Sequence, residues 1–455
     1  MRRARPVIAA ILAALPGAAL AQPCRPEWDV RIGNQGLNSS VLRFIPTSPL
    51  SVTGVLAGGA FWEPYPLLAV WDGSNFTQFG PLWSPSSGVT DIEYFDDGDG
   101  EKLYISGNLW TGSEQFHVAR FEGDHWEYLD IGGVYGVVDM HVWDDGSGPA
   151  LYVTGDFDSL DGVTPHNSIA KWDGQSWSPL RGGLNFSGTQ VGLALQGFDD
   201  GSGPMLYLGG TFDGVDSKFG RYLARWDGQQ WSGMPNDEGR PHGSVQDMCL
   251  YDDGSGEALY VVGLFDSVGG ILARHIARWD GAHWSDVGGG TEPHNQGFIL
   301  SCGVWDDGSG PALFVSGWIM AAGGKPMCNF AKWDGVEWSD PGGGLDCAGT
   351  GSAFAIHGVP WGSPLGPSLY VGGAFSHAGG EETEFVAEYA GCECPPDWNG
   401  DGLLNTIDFL AFLNTWSLER VSDCVDGSCR ADLNGDGSVN TIDVVAYLNQ
   451  YTYGC

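Results

Sequence analysis

This 455-residue sequence predicts an all-β seven-bladed propeller with four-stranded blades, followed by a small α-helical calcium-binding module. Three observations carry that prediction. One phrase recurs seven times at intervals of 50–56 residues. A glycine-ended, strand-like run precedes every copy. An acidic twelve-residue loop is written twice near the C-terminus.

The recurring phrase reads "AVWDGSNF" (69–76), "ARFEGDHW" (119–126), "AKWDGQSW" (170–177), "ARWDGQQW" (224–231), "ARWDGAHW" (277–284) and "AKWDGVEW" (331–338). A degraded seventh copy, "AEYAGCEC", occupies 387–394. Asp-Gly between strand-like runs signals a hairpin, because glycine accepts the positive φ that tight turns require. The two aromatics of each intact copy stand five apart, as expected for side chains facing each other across that hairpin. Runs such as "LYVTGDF" and "LYLGGTF" have the β-branched and aromatic make-up of a buried strand. Their glycines at 59, 107, 155, 210, 263, 317 and 373 are expected where backbone passes close to a neighbour. Ahead of these, an apolar run such as "VGLALQGF" (191–198) turns through "DDGSG". Four strands per period are the result. The seventh period lacks its last strand, and "WDVRIGNQGL" (28–37) resembles the missing piece. The N-terminal strand should therefore complete blade seven, which would leave no open sheet edge.

Arg2, Arg3 and Arg5, the apolar run from Val7 to Leu15 and the Ala19-Leu20-Ala21 triplet predict a secretory signal over 1–21. No other stretch is apolar for long enough to span a membrane. The propeller is expected over 22–391 and the terminal module over 392–455 of a secreted, extracellular or cell-surface protein. Ten cysteines in an exported chain point to disulfides. Cys424 and Cys429 could bridge locally, and Cys24 could reach Cys392 or Cys394 to lock the ring. A formal charge of −37 excludes nucleic acid as a partner and disfavours anionic membranes.

Blade topology sends the a–b and c–d turns to one face, which gathers the repeated aspartates. Those aspartates are expected to accept hydrogen bonds within their own turns rather than to hold further calcium. The opposite face carries variable loops, where specificity usually sits on a rigid scaffold. His166, His242 and His294 each follow a proline there, and Tyr222 and Arg240 join them as candidate ligand-face residues for glycan or protein. Solvated loop histidines are the plainer reading. No nucleophile elbow, zinc-protease motif or phosphate loop is present, and carboxylate pairs carry no signal where acids are this common.

In "DWNGDGLLNTID", oxygen-bearing side chains fall at loop positions 1, 3, 5, 9 and 12: Asp397, Asn399, Asp401, Asn405 and Asp408. The second loop repeats them as Asp432, Asn434, Asp436, Asn440 and Asp443. Gly402 and Gly437 permit the sharp turn, and the carbonyls of Leu403 and Ser438 complete the wrap at position 7. This spacing suits Ca2+, one ion per loop, with an apolar helix following each.

Over roughly 28–391 the glycine doublets and paired aromatics resemble kelch-type propellers, and the Asp-Gly-x-x-Trp turn is similar to the aspartate boxes of sialidase propellers. The paired loops over roughly 394–455, with aspartate at position 12, resemble a dockerin module. The terminal "YGC" is similar to GC-type dockerin-like anchors on exported proteins of planctomycete-like bacteria. The dockerin resemblance implies a cohesin-like or envelope anchoring partner, read by loop positions 10 and 11. Those positions hold Thr406, Ile407, Thr441 and Ile442, where the familiar pair is Ser-Thr. Cys394 and Cys455 would clasp the module's ends.

Three functions follow as expectations. The first is a non-catalytic propeller that binds glycan or protein and is anchored by its calcium-dependent tail. The second is a tethered glycoside hydrolase or polysaccharide lyase. The third is a structural envelope spacer.

Overall fold

Strand pairing follows the sequence period. The computed structural model describes residues 27–390 apart from 36, 48–53, 62–66, 82–86, 113, 131–135, 185–189, 217–219, 236–238, 294–296, 348–351 and 360–367. It also describes 406–419, 431, 439, 441, 444 and 447. These residues fall in two compact units, Pro26–Gly391 and a second that holds the helix Thr406–Glu419.

Among the described residues of the larger unit are seven four-stranded antiparallel sheets, numbered here in chain order with strands a to d. Their a strands are Val41–Pro46, Gly88–Asp96, Val137–Asp144, Val191–Asp199, Val245–Asp252, Ile299–Asp306 and Ser352–Val359. The seventh sheet takes its d strand from the N-terminus. Glu27–Asp29 pairs with Val386–Ala390, placing Trp28 opposite Tyr389. Each a strand packs against the a strand of the next sheet, and that of sheet seven packs against those of sheets six and one.

Within sheets one and three to six the Asp-Gly hairpin sets the aromatics in register, as in Trp172 opposite Trp177 and Trp226 opposite Trp231. Their rings lie 5.1 and 5.2 Å apart. In sheets three, four and six the second tryptophan then reaches across to the preceding sheet. The indole N–H groups of Trp177, Trp231 and Trp338 donate to the carbonyls of Leu129, Leu180 and Val287 at 2.7, 2.9 and 2.9 Å. A buried indole N–H needs such a partner, so this tryptophan packs within one sheet and ties it to another. Smaller hairpins at 267–272, 319–326 and 377–382 decorate the b–c loops of sheets five to seven.

The recurring glycine has a single physical cause. A Cβ at Gly155, Gly210, Gly263, Gly317 or Gly373 would sit 2.1–2.3 Å from a carbonyl oxygen just ahead of or at the start of strand a. The a strands all carry a β-bulge here, at Leu42, Thr90, Val138, Leu193, Gln246, Leu300 and Phe354, which draws the two backbones together.

Two disulfides hold the described cysteines. Cys249 and Cys302 join the a strands of sheets five and six, and Cys328 and Cys347 close a shorter loop. The cysteines expected at the domain edges lie outside the described residues. Replacing Cys249 and Cys302 together by serine should cost about 4 kcal/mol, the loop-closure entropy of a bridge this long. Denaturant unfolding of the double variant beside the parent measures it.

Candidate functional site

The acidic turns use their aspartates internally. In sheets two to six the first aspartate of the a–b turn accepts two glycine N–H groups. Asp144 bonds Gly146 and Gly148 at 2.7 and 2.9 Å, and Asp199, Asp252 and Asp306 repeat the pattern. The second aspartate takes a tyrosine hydroxyl from strand b and a cation from strand c: Tyr152 at 2.9 Å and Lys171 at 2.5 Å on Asp145. Tyr207 with Arg225 on Asp200, and Tyr260 with Arg278 on Asp253, do the same. Burial pushes the Asp145 carboxyl up, but Lys171, Ser147 and Tyr152 outweigh it and hold it near about 2. Neighbouring turns also interlock, since a Cβ at Gly174, Gly228 or Gly281 would strike Asp97, Asp145 or Asp200 of the preceding sheet. The a–b and c–d turns therefore share one side, and their carboxylates are committed to structure.

Where the a strands face one another, a cavity of about 310 Å³ is lined by residues from all seven sheets. Counting from the bulge sorts its lining into two levels. One level holds Arg43, Asp139, Asp247, Ser301 and Ala355, and the other holds Ile45, Glu93, His141, Gln196 and His357. The bulge frees backbone N–H groups, and aspartates answer them from the adjacent sheet. Asp91 accepts from Met140 at 2.7 Å, Asp139 from Leu195 at 2.7 Å and Asp247 from Cys302 at 2.9 Å. At sheet one the equivalent residue is Arg43, whose Nε lies 2.6 Å from Asp91. Burial raises Asp91, Asp139 and Asp247, the last to about 6, and lowers His141 and His357 to about 4 with help from the Arg43 charge. Glu93, Asp139 and Asp247 line the cavity with the single arginine, Arg43. Among the described residues, no three His, Cys, Asp or Glu side chains are placed to hold a metal.

Burial, aided by the Asp91 charge, lifts Glu93 from 4.5 to about 7. Between those values the folded chain keeps a proton that the unfolded chain has released. Stability therefore falls as pH rises through that window. Glu93→Gln should remove at most about 3 kcal/mol of this dependence. Its melting temperature should rise relative to the parent at pH 8 and match it at pH 5.

On the variable-loop side, the residue before strand c adopts a left-handed φ in six sheets: Leu67, Ser168, Tyr222, His275, Asn329 and Phe385. Each donates its N–H to a hydrophobic residue that closes or follows strand b, as Tyr222 does to Phe212 at 3.0 Å and His275 to Phe265 at 2.7 Å. Sheet two departs from this, for its b and c strands run on to Thr111 and from Glu114, and a buried Asp130 accepts the His117 N–H instead. The strained backbone aims the Tyr222 and His275 side chains at a second cavity, about 380 Å³, between sheets four and five.

Of the predicted ligand-face residues, Tyr222 and His242 converge on this cavity. Arg240 is exposed nearby in sequence but does not line it. His166 is fully buried, with Nδ1 3.3 Å from the Leu160 N–H, so its loop folds over it instead of presenting it. His294 lies outside the described residues. His275, which the sequence reading did not single out, is a main wall of the cavity. Its only sequence signal is its place just before strand c, the position that Tyr222 holds in sheet four.

In the smaller unit, Phe412 and Tyr447 stack at 4.1 Å, and Ala431 and Val439 complete a buried cluster. Thr406, Ile407 and Asp408 fall within the helix Thr406–Glu419, and Thr441 is exposed. The remaining predicted calcium ligands and Ile442 lie outside the described residues.

A family model for the dockerin type I domain matches residues 395–451. No curated protein matches the chain. Among solved structures, the extracellular domain of a putative one-component system from B. thetaiotaomicron is similar over 80% of this chain and 40% of its own, at 12% identity and TM-score 0.48. An ancestral GH74 enzyme is similar over 80% of this chain and 48% of its own, at 12% identity and TM-score 0.48. The chain thus spans less than half the length of either. No helix among the described residues is long and apolar enough to cross a membrane.

Proposed function

We propose that this chain is an exported, non-catalytic seven-bladed propeller that binds glycan or protein on its variable-loop side. Its dockerin tail holds it in an extracellular assembly through a cohesin-like or envelope partner. The dockerin match to residues 395–451 carries this reading. Dockerin domains bind cohesins and calcium, and the doubled loop supplies the oxygens for two ions. The ring reading is supported by the seven consecutive a-strand contacts, including that between sheets seven and one. The recurring strand-b glycine and paired aromatics support kelch-type kinship. On the variable side, the cavity between sheets four and five gathers Tyr222 and His242 of the predicted ligand-face residues. Immobilised full-length protein should retain a cohesin-type partner in calcium and release it in chelator. Equal retention in both would refute the docking half.

One observation favours a second reading, a tethered carbohydrate-active enzyme. Glu93, lifted to about 7, lines a cavity, and a carboxyl that keeps its proton near neutral pH suits general acid catalysis. Reducing-sugar release that disappears in Glu93→Gln would select that reading.

A further inference from the structure

We infer that the cavity between sheets four and five is a binding site for a neutral sugar, held through two adjacent hydroxyls by His275 and Asp266. The inference rests on the proposal that the variable-loop side binds ligand, and it names the ligand class.

His275 is the central observation. Its side chain is only 7% exposed. Nδ1 is turned inward, 3.3 Å from both the carbonyl and the hydroxyl of Thr291; the carbonyl only accepts, and the hydroxyl is free to accept because it donates to the Arg274 carbonyl at 3.4 Å. The proton therefore sits on Nδ1, and Nε2 is left as a lone-pair acceptor. Burial lowers the His275 pKa, which keeps the ring neutral. The groups facing it are Asp266 and His242, with Thr291 behind. Nε2 stands 3.9 Å from Asp266 Oδ1, beyond hydrogen-bond reach, and the Asp266 side chain is 86% exposed. Two acceptors thus lie side by side with no donor between them. A ligand hydroxyl placed here would have an acceptor on either side.

The rest of the cavity narrows the ligand class. Among the described residues of its lining Asp266 is the only charged one, which disfavours phosphates and carboxylates. Thr211, Ser244, Tyr222 and His242 add hydroxyls and an imidazole. The His242 Nδ1 is engaged by the Ser267 hydroxyl at 3.1 Å, which leaves its Nε2 to pair with a ligand. Leu264, 43% exposed, offers an apolar wall for a sugar's C–H face. About 380 Å³ lies at the small end for ligand sites, so a short saccharide suits it better than a long chain.

The test uses the full chain in calcium, titrated calorimetrically with methyl glycosides of neutral hexoses and their disaccharides. Asp266→Ala removes an exposed carboxylate but keeps the backbone carbonyl that accepts from Ala273 and Arg274. His275→Asn keeps a residue that tolerates left-handed φ. Expected is saturable binding by at least one sugar, weakened tenfold or more in Asp266→Ala and in His275→Asn at unchanged melting temperature. Sugar binding untouched by Asp266→Ala overturns the inference while leaving a glycan-binding body intact. Binding of none of the sugars overturns the inference as well. Cohesin retention on the same samples reports separately on the tail.

Discussion

Gly317→Ala is expected to destabilise the larger unit by about 3 kcal/mol or more, at the upper end of overpacking costs. The new Cβ would lie 2.1 Å from the Phe298 carbonyl oxygen and 2.7 Å from the Ile299 Cα. Both are backbone atoms, so no side-chain rotation relieves the contact. Strands a and b of sheet six would have to part at the bulge, where Ile299 pairs with Gly317. The hydrogen bond from Gly317 N–H to Asn329, 3.2 Å, would be strained with them. Gly88→Ala is the matched control. A Cβ there meets nothing within 4 Å and φ is not positive, so the change should be neutral or stabilise by about 0.5 kcal/mol. Chemical denaturation of the two variants beside the parent measures both. Equal midpoints would disprove the close-approach account of the repeated glycine.

Removing calcium should unfold the tail and leave the sheets standing. Residues 392–455 offer few side chains for the core of an independent domain, with Phe412, Ala431, Val439 and Tyr447 buried among those described. Cores of this size rarely supply more than about 3–5 kcal/mol. Two sites, each at a hundredfold excess of calcium over Kd, would add about 5 kcal/mol together. Chelation should therefore abolish helical order in the tail. Asp401→Ala or Asp436→Ala should forfeit about half of the metal's contribution. Calcium titration with far-UV circular dichroism and Trp416 fluorescence reads this directly. Two ions per chain are expected, and the main melting transition of the sheets should be insensitive to chelator.

The sheets were legible in the sequence because their signals are local and repeated. Asp-Gly turns, aromatics five apart and a glycine-ended run each report a short-range requirement, and the repetition multiplies a weak signal. The N-terminal strand was legible for the same reason, since it resembles the d strand that the seventh copy lacks. Sheet two shows the limit of that reasoning. Its b and c strands run past the usual loop, and Asp130 takes over a backbone bond that a left-handed residue makes elsewhere. The a-strand bulges were not legible, because no residue type marks them: Leu42, Thr90, Gln246 and Phe354 all occupy the position.

The candidate sites divide in the same way. The acidic loops are expected to hold calcium from spacing alone, because six ligands around one ion would come from twelve consecutive residues, and the dockerin type I match to 395–451 covers both loops. The cavities could not. Arg43 and Asp91 are 48 residues apart, and Cys249 and Cys302 are 53 apart, yet each pair meets where a strands adjoin. His166 and His242 looked alike after their prolines, but packing buries the first and opens the second. By itself, then, the sequence determined the period, the hairpins and the paired acidic loops of the dockerin-type tail, all governed by chemistry between near neighbours. Which side chains share a cavity was decided by how one sheet leans on the next, a long-range relation that no single segment encodes.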